Sequence, residues 1–126
     1  MVNKAILVGR LGKDPDTRFT PDGSMVTNFT IATDETWKDK NGDKQQKTEW
    51  HKIVTFGRLA EICENYLSKS KLVFIEGKIQ TRAWDDKDGV KRYTTEIVAR
   101  DMKMLDSKGH GKEDEQPGAQ MDSVPF

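Results

Sequence analysis

The residues best suited to chemistry are aromatic rings interleaved with cations along short β-like segments. Over residues 48–56, read as a strand, alternation sets Trp50, Lys52, Val54 and Phe56 on one face and His51, Ile53 and Thr55 on the other. A lysine between two rings marks a wet face, because an unpaired ammonium is costly to bury. The same alternation over 78–84 groups Lys78, Gln80, Arg82 and Trp84, with Ile79 and Ala83 opposite. Trp37 ends the strand before a lysine-bearing hairpin arm. Rings on strands are ordinarily core residues, but long polar neighbours reverse that reading for these. Exposed π-faces beside Lys and Arg suit single-stranded nucleic acid, whose unpaired bases stack on rings while cations follow its phosphates.

Other chemistries find less support. The histidines are His51 and His110, and neither has a Cys or His neighbour at ligand spacing, so neither a metal nor a cofactor is expected. His51 reads as a packing or subunit-contact residue rather than a base. Asp85, Asp86 and Asp88 flank Gly89 and read as a turn rather than a Mg²⁺ site. Gly9-Arg10-Leu11-Gly12 has the form of a backbone clamp, yet it ends a strand instead of joining two helices. The sequence contains no phosphate-cradling Gly-Lys-Ser/Thr loop and no Gly-x-Ser-x-Gly elbow. A small nuclease would need metal-dependent strand cleavage. The residues therefore describe a binder rather than an enzyme.

The formal charge of zero is the sum of two unlike segments. Residues 1–105 hold 19 Lys and Arg against 16 Asp and Glu, a net of +3, whereas residues 106–126 hold 2 against 5, a net of −3. A domain at +3 would grip a polyanion weakly by charge alone, so tight binding must draw on stacking. Cys63, the sole cysteine, allows no intrachain disulfide and suits a reducing compartment. The apolar run at residues 1–8 is too short for a signal segment or a membrane span, so a cytoplasmic protein is expected.

The elements that must position these side chains follow from period and punctuation. Residues 1–10 are apolar and β-branched, and Gly9 and Gly12 break the run as at a barrel corner. Pro21-Asp22-Gly23 turns into a second strand over 25–36. Asn41-Gly42 lies in a polar arm over 38–47 before the third strand over 48–56. Leu59, Ile62, Cys63, Tyr66 and Leu67 then fall at helical spacing, one buried stripe of a short helix with Cys63 in the core. Strands over 71–84 and 91–105 follow, joined at Asp88-Gly89.

The order β-β-β-α-β-β predicts an all-β fold, the five-stranded oligonucleotide-binding barrel, with one short helix between strands 3 and 4. That domain covers residues 1–105. Residues 106–126 lack apolar periodicity and are expected to form a disordered acidic tail. The tail ends in Asp122-Ser123-Val124-Pro125-Phe126, where apolar residues and a terminal carboxylate could enter a partner's basic-rimmed pocket.

Val2-Asn3-Lys4, Ile6-Leu7-Val8-Gly9, Asp14-Pro15, Thr48-Glu49-Trp50-His51, Phe56-Gly57, Leu59-Ala60-Glu61, Ile75-Glu76-Gly77 and Arg92-Tyr93-Thr94-Thr95-Glu96 stand in one order. With them the chain resembles the bacterial single-stranded DNA-binding proteins. The resemblance implies a homotetramer around which the strand wraps, acting in replication, recombination and repair and recruiting DNA-processing enzymes through the tail. It implies base stacking at Trp37, Trp50, Phe56 and Trp84, and basic positions near DNA at Lys40, Lys52, Arg58, Lys69 and Arg82. It places His51 at a subunit interface. This sequence departs from the family in its single Asp122 before Ser123-Val124-Pro125-Phe126 and in the uncharged Gln80 and Ala83. The other reading the residues allow is an oligomeric barrel that works as a protein adaptor.

Overall fold

Three glycines, Gly23, Gly42 and Gly89, take left-handed φ of 90°, 85° and 79°, which side chains disfavour, and at each the chain reverses. Each closes the same five-residue loop, seen in Thr20 N–H to Ser24 O at 2.9 Å, Asp39 N–H to Asp43 O at 2.9 Å and Asp86 N–H to Val90 O at 3.0 Å. In all three an aspartate accepts backbone N–H groups of its own loop, as Asp86 Oδ1 does from Asp88 and Val90 at 2.9 Å.

The computed structural model describes residues 1–106. Its elements are β1 (Ala5–Leu11), β2 (Asp16–Phe19), β3 (Met25–Lys38), β4 (Lys44–Phe56), α1 (Gly57–Tyr66), β5 (Leu72–Asp85) and β6 (Lys91–Met104). Hydrogen bonding runs β1-β5-β6-β4-β3, and β1 returns to β3 at Arg10↔Ala32 and Leu11↔Ile31, so five strands close into a barrel. The expected five-stranded barrel with a helix between its third and fourth strands is present. One further short strand, β2, adds to β3 through Asp16↔Asn28 to Phe19↔Met25. No apolar alternation marks β2 in the sequence; it exists because β3 offers it an unpaired edge beyond the point where β1 leaves.

The core is mainly aliphatic, with Ile31, Ile53, Val73 and Ile75 fully enclosed and Phe29 among them. Closure demands close backbone approach. A Cβ at Gly9 would stand 2.4 Å from Ala32 O, and one at Gly77 would stand 2.1 Å from Val98 O beside the register shift at Glu76/Gly77. Gly9 thus occupies the corner expected of it, and Gly77 occupies a second.

The helix buries its expected stripe except at Tyr66. Tyr66 is exposed, and Ala60, Cys63 and Leu67 face the core with Leu59 packed against it. The small side chains Ala60 and Cys63 are fully enclosed on the face that Thr27 of β3 reaches. Burial raises the Cys63 thiol to about 12, with a hydrogen bond to Thr55 opposing the shift. A buried threonine ties α1 down, Thr27 Oγ1 donating to Ala60 O at 2.9 Å, while Thr55 Oγ1 donates to Thr27 O at 2.8 Å between β4 and β3. No helix among the described residues is long and apolar enough to cross a membrane.

Candidate nucleic-acid interface

β3 and β4 pair without a break from Val26↔Phe56 to Lys38↔Lys44, and β5 and β6 pair out to Asp85↔Lys91. The two hairpins meet only through the parallel pairs Ile53↔Ile97 and Val54↔Val98. Beyond those pairs they part, leaving two arms with an open recess at their fork. Trp50, His51, Lys52, Thr95, Glu96 and Ile97 line that recess. Residues 44–47, expected within a polar loop, belong to the strand because each has a ladder partner on β3. Exposure on both faces of the arms is what places Ile79 and Ala83 in water opposite Trp84.

The rings singled out in the sequence are all open to solvent: Trp37 is 46% exposed, Trp50 57%, Phe56 51% and Trp84 43%. Register decides which belong together. Trp50, Lys52 and Phe56 share a face of β4 with Val54, which is buried, and their β3 partners are Ala32, Thr30 and Val26. Trp37 pairs with Gln45 and has the parity of Thr33 and His51, so it lies on the alternate face of the first arm. Trp84 stands on the second arm, its indole N–H donating to Thr94 Oγ1 at 2.9 Å.

Trp50 rests on a glycine. A Cβ at Gly12 would fall 2.5 Å from Cζ3 and 2.9 Å from Cη2 of its ring, while Gly12 N–H donates to Thr30 O at 3.2 Å. Gly12 therefore clears the surface on which the indole lies.

Lys40 sits at the tip of the first arm, Lys52 between Trp50 and Phe56, Arg58 on the first turn of α1, and Lys69 in the loop after it. All four are exposed, and none joins an ion pair with a described residue. Arg82 differs: its Nε–H reaches Glu96 Oε2 at 3.2 Å and Oε1 at 3.4 Å. Glu96 is 5% exposed and also accepts from Gln80 Nε2 at 3.3 Å. From the sequence, Glu96, Thr94 and Gly12 carry no expected role beside the rings. The turn at Asp88-Gly89 was the available signal for the first two, since it sets Arg82 opposite Thr94 and Gln80 opposite Glu96.

His51 is half-buried, with Nε2 2.9 Å from Thr33 Oγ1. Of the aspartates, Asp86 serves the hairpin: Arg92 Nε–H at 2.9 Å, then the Val90 and Asp88 amides, hold its carboxyl below the usual range. Among the described residues no cluster of His, Cys, Asp or Glu could hold a metal ion. The segment Asp122-Ser123-Val124-Pro125-Phe126 lies outside the described residues.

The sequence matches the model of the single-strand binding protein family over residues 2–105. The chain belongs to that family. It is 54% identical over 111 residues to the single-stranded DNA-binding protein 1 of Chlorobaculum tepidum, covering 87% of this chain and 68% of that protein. It is 52% identical over 104 residues to the single-stranded DNA-binding protein of Neisseria meningitidis serogroup A, covering 82% of this chain and 60% of the relative. The chain thus spans about two thirds of the length of these curated relatives. Among solved structures, a Plasmodium falciparum SSB in complex with ssDNA superposes with a TM-score of 0.78 at 33% identity, over 84% of this chain and 97% of that one. The binding of single-stranded DNA is the activity by which this family is defined.

Proposed function

We propose that this family member binds single-stranded DNA without regard to sequence, protecting it during replication, recombination and repair. Bases stack on Trp37, Trp50, Phe56 and Trp84, and Lys40, Lys52, Arg58 and Lys69 follow the phosphates, with Arg82 beside the path. The carrying observation is four exposed rings, Trp37, Trp50 and Trp84 on two diverging arms and Phe56 at the barrel end of β4, amid Lys40, Lys52, Arg58 and Lys69, which are free of ion pairs with described residues. Four stacks supply roughly 4 to 12 kcal/mol gross, not additively, which exceeds what a domain at +3 gains from charge. Every base has a π-face, and the Trp84 N–H is already engaged by Thr94, so the ring of Trp84 offers no free donor that would select one base. Because Trp37 and Trp50 lie on alternate faces, a strand touching both must wrap the first arm.

The working unit is a homotetramer, with His51 near a subunit interface. Ile6 and Val8 are exposed on β1, whose outer edge over residues 5–8 lacks a ladder partner among the described residues, a surface suited to a second copy. Asp122-Ser123-Val124-Pro125-Phe126 recruits DNA-processing enzymes, and the protein works in the cytoplasm on the nucleoid as a binder rather than a catalyst. Titration with oligo-dT while following tryptophan fluorescence tests the core of this reading. Strong quenching is expected, and unchanged fluorescence at saturating oligonucleotide rejects stacking on Trp37, Trp50 and Trp84.

A further inference from the structure

Glu96 is the one glutamate among the described residues that is buried, and it lies at the fork of the two arms, in the recess lined by Trp50 and Lys52. A carboxylate in that place opposes the approach of phosphate, and its burial reduces the screening that water and salt would supply. Its oxygens are occupied from one side: Arg82 Nε–H and Gln80 Nε2–H both come from β5, each one strand across. Arg82 is itself 54% exposed, on the face that carries Trp84, so its guanidinium lies where a strand stacked on that ring would run its backbone.

From this placement we infer that Glu96 is an affinity-setting residue that withholds Arg82 from the DNA backbone. The inference rests on the single-stranded DNA reading above and deepens it. Two consequences follow from charge. The Arg82–Glu96 pair presents almost no net charge to an approaching phosphate, so Arg82 releases no counterion on binding. The paired recess floor likewise offers the backbone no net positive charge, so the flat, uncharged bases are free to lie between Trp50 and the second arm. A domain built this way leans on stacking and holds one cation back, which keeps its grip on DNA less steeply dependent on salt than its exposed Lys and Arg would make it.

The test is the slope of log affinity for oligo-dT against log salt in four full-length proteins: wild type, Arg82→Ala, Glu96→Gln and the double variant. Each phosphate neutralised on a single strand contributes about −0.7 to that slope. Expected are equal slopes for wild type and Arg82→Ala, a slope steeper by about 0.7 for Glu96→Gln with tighter binding at low salt, and a return to the wild-type slope in the double variant. Arg82→Ala flattening the slope by about 0.7 overturns the inference, because Arg82 would then neutralise a phosphate with Glu96 in place. An unchanged slope in folded Glu96→Gln overturns it equally. Should Glu96→Gln fail to fold, the Arg82→Ala comparison decides by itself. Wild-type protein that fails to bind oligo-dT at any salt rejects the DNA reading, whereas binding with quenching but the wrong slopes rejects only the role of Glu96.

Discussion

Gly12→Ala separates the geometry of stacking from the stability of the fold. The new Cβ would lie 2.5 Å from Cζ3 of Trp50, so the indole must withdraw by about 1 Å to reach an ordinary carbon contact of about 3.5 Å. The ring is free to do so, being 57% exposed, at a cost of about 0.5 to 1.5 kcal/mol if it leaves its rotamer. Gly12 has no left-handed φ, so alanine also removes freedom from the unfolded chain, a gain of about 0.4 to 1 kcal/mol. These terms nearly cancel, and the melting temperature should stay within a few degrees of wild type. Binding should fall more. A base on a displaced ring loses up to about 1 to 3 kcal/mol, a roughly 5- to 150-fold weaker affinity for oligo-dT. Fluorescence titration of wild type, Gly12→Ala, Trp50→Ala and the double variant measures this, with the double variant no weaker than Trp50→Ala. The reasoning is refuted if Gly12→Ala binds as wild type, or if it weakens Trp50→Ala by the same factor as it weakens wild type.

Gly77→Ala should abolish folding, with a loss above about 4 kcal/mol, because the added Cβ meets Val98 O at 2.1 Å and backbone on both sides cannot yield; a soluble variant with a wild-type melting curve would contradict so close an approach of β5 and β6. Thr27→Val should lower stability by about 1 kcal/mol in urea titration, since it removes the hydroxyl that donates to Ala60 O in a fully enclosed site. For Asp86, Arg92 and two loop amides depress the carboxyl below its ordinary 3.8, so the ionised group stabilises the second hairpin above that pH. That contribution is lost as acid carries the carboxylate through its lower folded value. The Val90 amide resonance should therefore titrate below 3.8, and a midpoint at or above 3.8 would show that Arg92 and the loop amides do not hold the charge.

Local chemistry made much of this protein legible in its sequence. Turn glycines at Gly42 and Gly89 need a left-handed φ that few residues tolerate, so the two hairpins announced themselves, and alternation within a strand told which of Trp50, Lys52 and Phe56 share a face. What required the tertiary structure was everything set between segments distant in the chain. The strand β2 exists through an edge that β3 leaves open, and Tyr66 is exposed because α1 presents Ala60 and Cys63 to a crowded barrel. Gly12 lies under Trp50, 38 positions later in the sequence, and Glu96 reaches Arg82 across a strand pair. Periodicity reports which way a side chain points from its own backbone. What it meets there depends on how the barrel closes, and closure is a property of all five strands together.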